Sequence, residues 1–235
     1  VGSESPYSKP MNFSMSTANR PWHELPSLSL VLIFASLQVM TMSLLADGPA
    51  DNSPDTVRRV PPVGIAISES VRQELSAEIK ALETNLAEAR LRWSRNPQQL
   101  KHWADIAIFG KSVDWALRYR EIFKTNEVDS ARLQLKTAAE RLQALDKGQA
   151  PWLETSGPMV GGYVSRIDGS VQPFGLVIPQ SWKPNSGRSW RLDFWFHGRG
   201  ETLSELAFIA DRMKNLGEFA PPDTFVLHLY GRYCN

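Results

Sequence analysis

A His-Gly-x-Gly turn is the part of this sequence whose residue types point most directly to chemistry. The turn consists of His197, Gly198, Arg199 and Gly200, and it follows a mostly apolar run at residues 192–196. Glycines remove side chains, so backbone N–H groups can approach a substrate and hold the negative oxygen of a tetrahedral acyl-transfer intermediate. A strand-to-helix turn that uses glycine for geometry alone is the alternative interpretation.

A nucleophile for acyl transfer cannot be recognised in the same way. A serine held on a strand-to-helix turn has the pattern Gly-x-Ser-x-Gly, which occurs nowhere in the 235 residues. His197 therefore lacks the partner that would make it a general base, and we expect it to fix the turn. We expect His228 to be a core or sheet-face residue, and Asp193 to face a turn or a cationic neighbour such as Arg191.

Neither a metal nor a cofactor is expected. None of the four histidines is separated from another by the spacing typical of a metal site: His23, His102, His197 and His228. Cys234 is the only cysteine, which excludes an internal disulfide and a cysteine-cluster zinc site. No histidine or lysine lies near Cys234 in sequence to activate it as a nucleophile.

The charge composition excludes nucleic acid as a partner. The chain has 26 Lys and Arg against 25 Asp and Glu, a net charge of +1, without a basic stripe. Such a balance creates no field that would recruit nucleic acid or anionic lipid. A hydrophobic content of 42% is ordinary for a folded protein with a buried core.

Residues 1–50 have the pattern of a signal-peptide region. Counted from Met15, with Met11 as the other plausible start, Arg20 precedes an apolar run that begins at Leu28 and ends at Ala46. Small residues follow, so the segment predicts export to the periplasm or the medium. An uncleaved membrane anchor is the alternative, because about 20 apolar residues span a bilayer. Polar residues within the run favour cleavage.

A helical accessory region is predicted over residues 70–150, after a proline-containing linker at residues 51–69. Apolar residues recur at helical spacing in three stretches, at residues 71–93, 98–123 and 128–145. Ser68 or Ser70 caps the first helix, Asn96 and Pro97 stop it, and Gly148 ends the third. We expect a small bundle or long hairpin that packs internally; a coiled coil or a partner-binding surface is the alternative.

Residues 151–235 change to strand periodicity, which predicts an α/β fold. Two strand-like runs flank Asp168 and Gly169, a dipeptide that favours a tight hairpin turn. A strand at 191–196, a helix at 202–216 capped by Thr202, and a strand at 224–230 then form a unit with parallel strands. The turn at His197 would lie at the carboxyl end of its strand, where open sheets bind ligands.

Two segments of this region, residues 162–179 and 192–202, resemble the opening of an α/β-hydrolase catalytic domain, in particular prolyl oligopeptidase-type serine hydrolases of the exported bacterial kind. The resemblance implies a Ser, Asp, His triad in that chain order and an ester or peptide substrate. It also implies an oxyanion hole shared between the amide after the serine and the turn. Gly198 and Arg199 would supply the candidate amides, and His197 and Gly200 would shape the turn.

In such a domain all three triad residues would lie beyond residue 235. The resemblance therefore implies that the 235 residues are the N-terminal portion of a serine hydrolase, with an incomplete α/β-hydrolase sheet and no activity of their own. The alternative is a non-catalytic exported module, in which the helices bind a partner and the α/β segment is a platform.

Overall fold

The helical accessory region folds into three long helices and one short one. In the computed structural model, which describes residues 61–198 and 200–231, these are α1 Glu69–Arg92, α2 Pro97–Leu100, α3 Ala104–Arg118 and α4 Asn126–Asp146. The predicted signal-peptide region and most of the predicted linker lie outside the described residues. None of the helices in the described part is long and apolar enough to cross a membrane.

The helix ends follow local side-chain chemistry. Ser68 caps α1, because its Oγ accepts a hydrogen bond from Val71 N at 3.3 Å. Gly148, at a φ of 74°, follows the end of α4, as expected for a glycine C-cap. The prediction of one helix over residues 98–123 is wrong. The stretch is divided into α2 and α3, and α3 ends early because the chain turns at Arg120, whose φ is 58°.

The second region is a four-stranded mixed sheet with a helix. Its strands are β1 Gly157–Val164, β2 Val171–Ile178, β3 Arg191–Trp195 and β4 Thr224–Leu229, and α5 Glu205–Arg212 connects β3 to β4. The spatial order is β1-β2-β4-β3. The β1/β2 and β2/β4 pairs are antiparallel and the β3/β4 pair is parallel. A mixed α/β class, the predicted hairpin and the predicted parallel strand-helix-strand unit are thereby confirmed.

Two predicted details of this region are wrong. The hairpin turn is not a tight two-residue turn. It spans residues 165–170, with Ser165 N donating to Ser170 O at 2.8 Å and Gly169 at a φ of 72°. Thr202 does not cap α5. Ser204 does, its Oγ accepting from Ala207 N at 3.2 Å, so the helix begins later and is shorter than residues 202–216.

One hydrophobic core joins the helices to the sheet. Helix α3 lies at its centre and contacts α1, α4, α5, β1 and β2. The side chains that fill it come from both regions and include Ile106, Ile108, Phe109, Val113, Val160, Leu206, Ile209 and Val226. The accessory helices therefore pack directly on the sheet that carries the His197 turn.

The sheet is apolar on its second face as well. Along β4, Val226 and His228 are buried on the side of the helices, and the alternate residues point the other way. We call the opposite side the open sheet face. Its apolar residues line a cavity of about 610 Å³: Tyr163, Phe174, Leu176, Leu192, Phe225, Leu227 and Leu229.

Candidate functional site

The His-Gly-x-Gly turn begins the connection between β3 and α5, which we call the site loop (residues 196–204). In the parallel register, Trp195 at the end of β3 lies opposite His228 near the end of β4. The site loop and the segment after β4 therefore leave the sheet at the same edge. Ligands of open α/β sheets bind at the carboxyl edge of the strands.

His197 links these two segments through its imidazole ring. Its Nε2 lies 3.3 Å from Gly231 N, which can only donate, so Nε2 accepts and the proton resides on Nδ1. Nδ1 lies 3.1 Å from Gly198 O and donates to it. The ring also contacts Phe208 of α5 at a centroid distance of 6.1 Å. The ring thus connects the carbonyl of Gly198 to the segment that follows β4.

The two glycines of the turn differ in what the fold demands of them. A Cβ at Gly198 would meet no atom of the described residues within 4 Å, its chain neighbours aside, and the φ of Gly198 is not in the left-handed region. A Cβ at Gly200 would lie 3.1 Å from Leu203 Cβ, which is a tight contact. Neither backbone conformation nor packing requires glycine at position 198, so the space beside this peptide is open to a ligand.

Arg199, the second candidate amide, lies outside the described residues. The end of the site loop is described and is held by three hydrogen bonds. Leu203 N donates to Gly200 O and Ser204 N donates to Thr202 O, both at 3.0 Å. The Tyr230 hydroxyl, after β4, donates to Leu203 O at 3.4 Å. Both ends of the site loop are therefore connected to the segment after β4.

The other titratable residues of this sheet have structural partners. Asp193 accepts from Arg191 Nε at 2.7 Å, as predicted. His228 is buried, as predicted, and Arg212 Nη1 lies 3.3 Å from its Nδ1. Burial and the nearby guanidinium lower the pKa of His228 to about 4. His228 is consequently neutral at pH 7 and belongs to the core.

Asp105 of α3 is a buried carboxylate that the sequence predictions did not include. Its Oδ1 accepts from Gly162 N of β1 at 2.8 Å. Its Oδ2 accepts from Trp152 Nε1 at 3.2 Å and lies 3.1 Å from His102 Nδ1. A charged residue between the apolar positions of a helix was the signal available in the sequence, because such a residue is buried only with partners.

Arg141 of α4 is a half-buried charge near Asp105. Its guanidinium lies over the rings of Phe109 and Trp152, at 4.9 and 4.8 Å from their centroids, and donates to Asp105 O at 2.9 Å. Burial lowers the pKa of Arg141 to about 10, and the Asp105 carboxylate opposes this shift. This cluster fastens the helices to β1 and lies inside the core.

Within the described ranges, no group of three or more histidine, cysteine, aspartate or glutamate side chains is arranged to hold a metal ion. No protein-family model matches the chain, and neither does any curated protein or solved structure. The geometry of the site loop is therefore the basis on which a function is proposed.

Proposed function

We propose that residues 151–235 form the opening of a serine-hydrolase domain of the α/β-hydrolase type. In this proposal the site loop binds the oxyanion formed when an ester or peptide bond is cleaved by acyl transfer. The order of elements supports it. The site loop follows the third strand and precedes a helix, which is the position of the oxyanion loop in that fold. The open space beside the Gly198 peptide is the observation that carries the proposal.

The chemistry asked of the loop is electrostatic. Attack on a carbonyl carbon moves charge onto the carbonyl oxygen, and fixed N–H donors at hydrogen-bond distance stabilise that charge in the transition state. The Gly198 and Arg199 amides are the candidate donors, and the His197 ring bonds the carbonyl of Gly198 between them in sequence. Since the sequence contains no Gly-x-Ser-x-Gly, we expect no ester turnover by the 235 residues alone.

The test uses the full translation product of the gene, labelled with a fluorophosphonate probe and assayed with p-nitrophenyl esters. Gly198→Pro removes one candidate donor, and we expect kcat to fall by about 10²–10³-fold. Ser189→Pro, at an exposed position before β3, is the matched proline control and keeps kcat. A product that the probe does not label, or a Gly198→Pro variant with unchanged kcat, would contradict the proposal.

A non-catalytic exported module is the second candidate function. A groove of about 600 Å³ between α1 and α4 favours it, with an apolar floor that includes Leu82, Leu135 and Leu142 and a charged rim. A partner bound there would not depend on the site loop. Binding that is lost with Ala139→Glu, at an exposed position of the groove, and kept with Gly198→Pro would support this candidate.

We also propose that residues 1–50 direct export, on the sequence pattern alone. Fusion of residues 1–60 to a phosphatase that is active only after export tests this. A shortened, active fusion in the periplasm indicates a cleaved signal, and an active full-length fusion in the membrane fraction indicates an anchor. An inactive fusion contradicts export.

A further inference from the structure

The site loop leads directly into the first turn of α5, and a lysine of the accessory helices contacts that turn. Lys111 Nζ of α3 lies 2.9 Å from Glu205 Oε2, the first residue of α5. The same ammonium donates to Val171 O of β2 at 2.5 Å. The lysine side chain is 15% exposed and the glutamate side chain 4%. The lysine of α3 therefore contacts both β2 and the first residue of α5, directly after the site loop.

A buried glutamine makes a second connection to the same turn. Gln134 of α4 is fully buried, and its Nε2 donates to Leu206 O at 2.8 Å. Its Oε1 accepts from Ser112 Oγ of α3 at 2.6 Å. Because both ends of the amide are bonded, the side chain has one orientation, and two accessory helices determine where the carbonyl of Leu206 lies.

These polar contacts add direction to an interface that is otherwise apolar. Hydrophobic packing of α5 on α3 is non-directional and tolerates a small rotation or shift of the helix. In such a shift the buried Gln134 amide loses the geometry of its two hydrogen bonds, and the charges of Lys111 and Glu205 move apart. The polar contacts thus restrict the position and rotation of the first turn of α5 more than the apolar contacts alone would.

We propose that Lys111 and Gln134 are positioning residues for the site loop, and that the accessory helices support the candidate site rather than form a separate module. The importance of this positioning for catalysis rests on the proposed function. His197 and Tyr230 hold the site loop to the segment after β4. The first turn of α5, which follows the loop, is held to the accessory helices through Glu205 and Leu206.

Hydrogen exchange of the 235-residue chain tests the positioning without any assay of activity. We expect exchange at residues 196–206 to rise by about tenfold or more in Lys111→Met and in Gln134→Leu, with exchange at residues 157–162 of β1 unchanged. The control is Leu86→Ala, which creates a cavity in the core at α1, a helix that is not among the main neighbours of α5. Equal acceleration in all three variants overturns the proposal.

A double variant separates positioning from the cost of an unpaired buried charge. Lys111→Met with Glu205→Gln removes both charges of the ion pair, so we expect the melting temperature to recover most of the loss seen in Lys111→Met. If the contact positions the loop, exchange at residues 196–206 stays fast in the double variant. Exchange that returns to the wild-type rate together with stability overturns the proposal.

Activity measurements on the full translation product test whether the positioning matters for catalysis. In the double variant we expect kcat to fall by about tenfold with KM unchanged, because misplaced amides weaken transition-state binding alone. A loosened loop with unchanged kcat overturns the role in catalysis. A product without serine-hydrolase activity overturns the proposed function, whereas the exchange experiments still decide whether the two residues position the loop.

Discussion

Two residues of the turn, His197 and Gly198, contribute in different ways to the candidate site. The histidine uses both ring nitrogens within the fold, one toward Gly198 O and one toward Gly231 N. The glycine, in contrast, is exposed and free of any steric demand from its surroundings. Because the described fold does not require glycine at position 198, we attribute the glycine to the close approach of a ligand to the backbone.

The glycine positions lead to a stability prediction. We expect Gly198→Ala to change the melting temperature by less than about 2 °C, because its Cβ would enter empty space. Gly162→Ala, whose Cβ would lie 2.2 Å from Ala104 O, should destabilise the protein by about 3 kcal/mol. Thermal and urea unfolding of both variants measure this. A large loss of stability in Gly198→Ala would mean that the turn needs glycine for its own geometry.

His228 predicts the pH dependence of stability. Its pKa is about 4 in the folded protein against an ordinary value of 6.5, through burial and Arg212, partly opposed by Asp211. The unfolded chain therefore takes up a proton before the folded one does. The free energy of unfolding falls as the pH drops from about 6.5 to about 4, by on the order of 2 kcal/mol, and above 6.5 this residue adds no pH dependence.

Urea unfolding of the wild type and of His228→Asn at several pH values checks this prediction. The variant has no imidazole to protonate, so its stability should decrease less over the same window. Parallel curves for the two proteins would show that other groups cause the acid sensitivity.

At the scale of elements, the sequence was sufficient wherever one face of an element is buried. The helical spacing of α1 and α4 and the strand-helix-strand unit were predicted because apolar periodicity is a local signal. Two contacts were not predicted: Lys111 with Glu205, and Asp105 with Gly162. Each joins residues far apart in the chain, and no local sequence pattern identifies the partner. The position of the His197 turn between a strand and a helix was predicted correctly, but the connections that hold the loop come from the tertiary structure.

Asp105, which connects α3 to β1, leads to a prediction about the free energy of unfolding. In Asp105→Asn only the amide oxygen can accept hydrogen bonds, whereas both carboxylate oxygens of Asp105 have partners. At least one of the donors Gly162 N, Trp152 Nε1 and His102 Nδ1 therefore loses its acceptor. We expect a loss of about 2–3 kcal/mol in the free energy of unfolding. Asp129→Asn, on the exposed surface of α4, is the control and should change stability by less than about 0.5 kcal/mol.

For the described part of the molecule as a whole, the sheet has two apolar faces and the helices cover one. Leu192 and Phe194, on the open sheet face, are 49% and 54% exposed, and β3 is paired on one side, to β4. An apolar face beside an unpaired strand edge promotes association between chains. The mixed sheet thus combines a well-packed side with a side that has the composition of an interior.

We expect the 235-residue chain to self-associate at micromolar concentration and to bind a dye that reports exposed apolar surface. Leu192→Lys with Phe194→Lys should reduce both effects and leave the melting temperature within about 3 °C, because neither side chain is buried. Sedimentation and dye fluorescence measure this. A wild-type chain that is monomeric, melts cooperatively and binds no dye would contradict it.

The strand order also determines when the candidate site can form during synthesis on the ribosome. β3 leaves the ribosome before β4, yet β4 lies between β2 and β3 in the sheet. The site loop therefore follows a strand that has no sheet partner until β4 has been made, whereas the helices and the β1–β2 hairpin can pack earlier. In nascent chains stalled before β4 is complete, residues 191–204 should be open to proteases, and they should become protected when β4 is released.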